Sequence, residues 1–150
     1  MIQKILPPSI DNTYRGHKLA LWLFAVVLFV RMAQSVTVMF AGDYVARSAD
    51  GIPLETFSPA AAQTVVAIFG LSSLNRLFIL LLGVLALMRY RSAVSLMFVV
   101  LMLNYLAGQL FLQFVPLVRI GTPQGPLINL ILFVLMVIGL PLSLRHRGER

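Results

Sequence analysis

Long apolar runs, interrupted at short intervals by proline, glycine and charge, dominate this chain. A bilayer-crossing helix needs about 20 mostly apolar residues. Four stretches qualify, from about Lys18 to Ala41, Pro59 to Met88, Ser92 to Val115 and Pro126 to Leu144. The breakers fall between them. "ADGIP" (Ala49–Pro53) predicts a turn, and Ser58-Pro59 predicts a helix cap followed by proline at the first helical position. Pro116 closes the third run, and "GTPQGP" (Gly121–Pro126) is a tight loop opening the fourth. Pro141 predicts a kink or fraying near the end of that span. The leading segment "MIQKILPPSIDNTYRGH" has a Pro-Pro break and mixed polarity, which predicts an interfacial lead-in without regular structure. There is no internal repeat, heptad pattern or low-complexity tract. The predicted fold is all-α: one domain over residues 1–150, an antiparallel four-helix transmembrane bundle with an acidic loop at 42–58.

Composition names the solvent. The chain is 59% hydrophobic and 11% charged, with mean hydropathy +0.92. Soluble domains carry about 45–50% apolar and about 25% charged residues. The net charge of +7 sits beside apolar segments, where it sets topology and meets anionic lipid; nucleic acid is not the expected partner. Eight basic residues lie on one side: Lys4, Arg15 and Lys18, Arg89 and Arg91, then Arg145, Arg147 and Arg150. Only Arg47 and Arg119 lie on the other. The positive-inside rule then puts both termini in the cytoplasm of a cell with this protein in its inner membrane, N-in and C-in. Asp43, Asp50 and Glu55 make the outer loop acidic. The alternative for the first span is a cleaved signal peptide, since Leu19–Val30 has the length of an h-region. The long preceding tail and the lack of a small-x-small site favour a retained span.

Two arginines interrupt the spans. Twelve residues separate Lys18 from Arg31, twelve separate Arg76 from Arg89, and twelve separate Arg91 from Asn104. At about 1.5 Å per residue, Arg31, Arg76 and Asn104 then share one depth, roughly 20 Å from the inner anchors. Gln34 and Ser35 follow Arg31 at helical spacing, and Ser72 precedes Arg76 by one turn. Tyr105, Gln109 and Gln113 form a ladder on the third span, and Asn129 is expected slightly further out on the fourth. A central arginine costs about 2.5–3.5 kcal/mol on insertion scales, and no Asp or Glu lies within a span. Three compensations stay open. The side chains snorkel outward, the acidic loop folds down on them, or an external anion fills the site. Under the last, Arg31 and Arg76 are the anion donors, Asn104, Gln34 and Gln109 orient the ligand, and Ser72 shares the Arg76 face.

Catalytic chemistry finds little to work with. There is no cysteine, and the two histidines, His17 and His146, flank the bundle without acids beside them, so no metal site is expected. No paired carboxylates, Ser-His or Ser-Lys arrangement, P-loop or dinucleotide glycine pattern occurs. A proton-coupled transporter would want a carboxylate in the first span, where this chain has arginine. The expectation is a protein without enzymatic activity or cofactor.

"IDNTYRGHKLALWLF", "SADGIPLETFSPAAAQTVVA" and the basic "RYRS" turn resemble the small four-span proteins of bacterial inner membranes, a family without an established activity. The layout is also similar to the DoxX-like group, in its four spans, its Gly-x-Pro turn (Gly51–Pro53) and its proline-initiated second span. That resemblance implies the four-helix fold. The acidic residue expected in that group's second span is replaced here by Asn75-Arg76, so no functional residue carries over. Three functions follow as expectations. The first is an accessory or structural assembly partner of a membrane complex. The second is a binder of a lipid headgroup or amphiphilic anion in the outer half of the bundle. The third is an oligomeric small transporter or pore. The expected partners are the lipid bilayer, another membrane protein or a second copy, and an anionic lipid or small amphiphile.

Overall fold

The computed structural model describes Ile5, residues 11–14 and residues 16–145. Those residues form helices and turns, with no strand among them. Helix α1 is Lys18–Phe40, α2 Gly42–Ser48, α3 Pro59–Arg89, α4 Val94–Phe114 and α5 Gln124–Leu144, with 3-10 turns at Leu54–Thr56 and Arg91–Ala93. Four of these segments are long and apolar enough to cross a membrane.

Local chemistry sets the ends. Ser58 Oγ accepts the Ala61 N–H at 3.3 Å, and Pro59 takes the first helical position, as the sequence predicts. His17 caps α1, its Nδ1 accepting the Leu19 N–H at 3.2 Å. Helix α5 begins at Gln124, two residues earlier than predicted. Pro126 therefore sits in its first turn, where a missing N–H breaks no helical bond. Pro141 lies inside α5, which continues to Leu144. Residues 11–14, 16 and 17 carry no helix. The rest of the leading segment, apart from Ile5, lies outside the described residues, as does His146.

The helices pack in the order α3–α1–α5–α4, each antiparallel to the next. Two glycines bring neighbours close. A Cβ at Gly83 of α3 would lie 2.7 Å from Leu28 Cδ2, and one at Gly139 of α5 would lie 2.5 Å from Phe98 Cζ. Phe24 and Phe98 meet across the bundle, ring centroids 4.9 Å apart, inside a core that includes Val27, Leu80, Val94, Leu132 and Met136. Helices α3 and α4 follow one another in the chain, yet they touch only sparingly. Consequently, the N-terminal half of α4 buries Val94, Ser95, Met97, Phe98 and Leu101, whereas from Asn104 onward only Tyr105 and Leu112 are even half-covered.

One end of the bundle gathers the start of α1, the end of α5 and the α3–α4 turn. The His17 N–H donates to the Leu142 carbonyl at 3.0 Å. Ser92 Oγ donates to the Asp11 carbonyl and accepts the Asp11 N–H. The other end is a cap. Ala46, Ile52 and Leu54 form a small core against Ala62, Val65, Val66 and Phe69 of α3. Two backbone bonds tie this cap to the α4–α5 loop and the first turn of α5, Ile120 N–H to Gly51 C=O at 2.7 Å and Gly125 N–H to Ala49 C=O at 2.9 Å. Gly51 has φ +68°, and a side chain there would also press on the Ile120 carbonyl. The "ADGIP" turn is thus a docking point as well as a reversal.

Candidate functional site

Arg31 projects into the space between α1, α4 and α5. Its Nη1 donates to Asn129 Oδ1 of α5 at 2.8 Å, and its guanidinium carbon lies 6.0 Å from the centroid of Tyr105 on α4. Tyr105 in turn stacks on Phe133, centroids 4.7 Å apart and planes 26° from parallel. This is a well-supported cation site: a charge-assisted hydrogen bond and an aromatic face that is itself fixed by stacking. Asn129 is level with Arg31, not further out, because α1 and α5 are also held in register by His17 and Leu142.

Arg76 is different. It is half-buried on α3, close enough to Arg31 for the two charges to repel. Among the described residues its guanidinium makes no hydrogen bond and no close ion pair. The register of α1 on α3 is set by Leu28 against Gly83, and just past the end of α1 Gly42 meets Val66. That register puts Gln34 and Ser35 level with Arg76. Gln34 Oε1 and Ser35 Oγ are both buried and have no hydrogen-bond partner among the described residues. An orphaned buried polar atom costs about 1–3 kcal/mol. Buried Ser73 lies one turn from Arg76 on the same helix.

The cap supplies the nearest opposite charge. Asp43 and Glu55 are occupied on the surface by Arg47, at 3.0 and 3.2 Å. Asp50 is the one that turns inward. It is half-buried, and its carboxylate acts electrostatically on Arg76 across a gap. Burial pushes the Asp50 carboxyl above the ordinary aspartate range, while Arg119 and Arg76 pull it back. Its Oδ1 abuts Gly125, where an added Cβ would sit 2.8 Å away.

Of the residues singled out from the sequence, Arg31 and Arg76 come close enough to repel, and Gln34 lies on α1 with its Oε1 buried. Asn104, Gln109 and Ser72 are exposed on the outside of the bundle. Helical spacing placed Ser72 near Arg76, but the face of α3 that packs inward carries Ser73. Asn104 keeps roughly the predicted level, one residue from Tyr105, and points elsewhere. Asn129 joins Arg31 through its hydrogen bond, and Asp50 acts on Arg76 electrostatically. A groove of about 700 Å³ at the opposite end, walled by Leu81, Val84, Leu85 and Met88, contains none of these groups.

The chain matches no protein-family model, no curated protein and no solved structure among those compared.

Proposed function

We propose that this is a non-enzymatic, multi-pass protein of the inner membrane, with both termini cytoplasmic, that serves as an accessory or assembly partner of a larger membrane complex through the outer half of α4. Four long apolar helices support insertion, and the eight-to-two distribution of basic residues supports the orientation.

The outer half of α4 carries the docking reading. Gln109 and Gln113 are exposed there one turn apart, and Asn104 and Gly108 are exposed on the other flank of the inward-facing Tyr105; nothing lies within 4 Å of where a Gly108 Cβ would be. The three amides have no hydrogen-bond partner among the described residues. In hydrocarbon an unpaired amide costs roughly 2–7 kcal/mol, depending on reference state. Lipid tails satisfy none of that, whereas a helix presenting polar side chains or small residues does. Leu103, Leu110 and Phe114 form the complementary, purely apolar face of the same helix.

Photo-crosslinking in native membranes tests this reading. A photoreactive side chain at position 108 or 109 is expected to form a discrete protein adduct. The same group at 103 or 110 is expected to form none. Adducts of equal yield at all four positions, or at none, would overturn the docking reading.

A further inference from the structure

We propose that the groove between α3 and residues 11–12 holds one anionic phospholipid, its acyl chain along the helix and its phosphate on Arg89. The site lies at the opposite end of the bundle from Arg31 and Arg76. It rests on insertion into a bilayer and is independent of the α4 docking face.

The groove has a volume of about 700 Å³, a size common in sites for small organic ligands, about 300–1,000 Å³. Its long wall is Leu81, Val84, Leu85 and Met88. That spacing puts all four on one face of α3, about 10 Å long. The face carries no polar residue and no small one, which are the residues that packed transmembrane helices use to approach each other. A flexible hydrocarbon chain fits such a wall, and a second helix gains no close approach there. The mouth is polar, lined by Asp11, Asn12, Arg89 and Tyr90. Its two sides are clamped together. The Asp11 N–H donates to Ser92 Oγ at 3.0 Å, and Ser92 Oγ donates to the Asp11 carbonyl at 2.9 Å.

The chemistry of the mouth selects the headgroup. The Arg89 guanidinium, the Asn12 amide and the Tyr90 hydroxyl make no hydrogen bond among the described residues. All three donate. A phosphodiester offers acceptor oxygens, and the planar fork of an arginine matches two of them. Asp11 is the one carboxylate at the mouth, and its Oδ1 accepts the Thr13 N–H at 3.0 Å. Lys18, Arg91 and Arg145 lie at the same end, so among the described residues four cations there face one acid. Their field favours an anionic headgroup over a zwitterionic one. Arg89 ends α3 just where the apolar wall stops. Head and tail therefore meet their partners in the order in which a leaflet presents them.

The test reconstitutes the full chain in phosphatidylcholine liposomes containing a few mole per cent of phosphatidylglycerol. Native mass spectrometry after gentle detergent extraction counts the retained lipid. The wild type is expected to retain one phosphatidylglycerol in preference to phosphatidylcholine. Arg89→Gln is expected to lower that retention about tenfold, the scale of one charge-assisted bond. Leu85→Trp, which fills the groove, is expected to lower retention of both lipids. Arg91→Gln is expected to change nothing, because Arg91 donates to the Leu87 carbonyl and lies outside the groove. Equal retention of the two lipids by the wild type would overturn the proposal. So would equal losses in Arg89→Gln and Arg91→Gln, or unchanged retention in Leu85→Trp. A photoreactive side chain at position 85 identifies the occupant, with exposed Leu82 as the control position. An excess of phosphatidylglycerol adducts at 85 supports the site; a link to residues 1–10 or to another protein there overturns it. Thermal unfolding confirms that each variant is folded; if Leu85→Trp is not, Arg89→Gln and the crosslink decide.

Discussion

Replacing Gly139 with alanine tests the packing of α5 on α4. The new Cβ would sit 2.5 Å from Phe98 Cζ and 2.7 Å from Cε1. Carbon atoms pack at about 3.5–4.0 Å, so something must move by about 1 Å. Phe98 is fully buried and rests on Phe24. Its ring has no room to retreat, and the two helices must part. Overpacking of this kind costs about 1–3 kcal/mol. Alanine returns about 1 kcal/mol of helix propensity over glycine. The net expectation is a destabilisation of about 0–2 kcal/mol. Gly70→Ala is the control, because nothing lies within 4 Å of its Cβ position. Only the propensity gain applies there, so the two variants differ by about 1–3 kcal/mol. Gly83→Ala falls between them, since the atom it meets is the terminal methyl of Leu28, which can swing aside. Steric trapping in bicelles measures all three. A Gly139→Ala protein as stable as Gly70→Ala would refute the packing order in which α4 and α5 meet at Phe98.

The Arg31–Asn129 bond gives a second expectation. Asn129→Leu should destabilise by about 1.5–3 kcal/mol, because it strips a charged donor of its partner. The double variant Arg31→Met/Asn129→Leu should recover most of that loss or exceed the wild type, as paired polar groups replaced by apolar ones of similar size often do; an additive double loss in the same unfolding assay would contradict the contact. Asp50 sets the pH response of the cap. Its carboxyl is raised by burial, so the folded cap holds that proton more tightly than the unfolded chain. Its contribution is fully present below the ordinary aspartate value and is lost as pH rises through the folded one. Hydrogen exchange at the Ile120 and Gly125 amides should therefore show a tighter cap in acid, corrected for intrinsic rates. Asp50→Asn should flatten that dependence, and a cap that loosens on acidification would count against the assignment. Gly51→Ala should cost about 1–2 kcal/mol for its left-handed backbone and more for the crowded Ile120 carbonyl, with the loss confined to exchange in the cap.

The positions of the helices were legible because length, proline and capping residues are local signals. Ser58-Pro59 and "ADGIP" act where they were expected. The faces were not legible. A helix apolar on all sides has no stripe to announce which side turns inward, so spacing related Ser72 to Arg76 but carried no sign that Ser73 is the buried serine. That Asn104 and Gln109 are exposed was hidden for a related reason. Helix order around a bundle comes from pairwise fits such as Gly83 with Leu28 and Gly139 with Phe98, and no local pattern encodes it. The arginines were visible as anomalies of charge. That Arg31 is engaged and Arg76 is not depends on Asn129, which lies ninety-eight residues further along the chain.

That separation has a consequence in time. In a chain made from its N-terminus, Arg31 is synthesised ninety-eight residues ahead of its hydrogen-bond acceptor. At about 5–20 residues per second, that is about 5–20 s of biosynthesis. In its later part, once Pro59–Arg89 has been made, α1 and α3 can pair as a hairpin holding two arginines before Asn129 is available. The nascent protein therefore passes through a half-built stage that needs water, the insertion machinery or a membrane chaperone beside Arg31. Chains arrested through C-terminal extensions of different length, with Asn129 either still inside or already outside the ribosome, would present that machinery with the same hairpin in two different states.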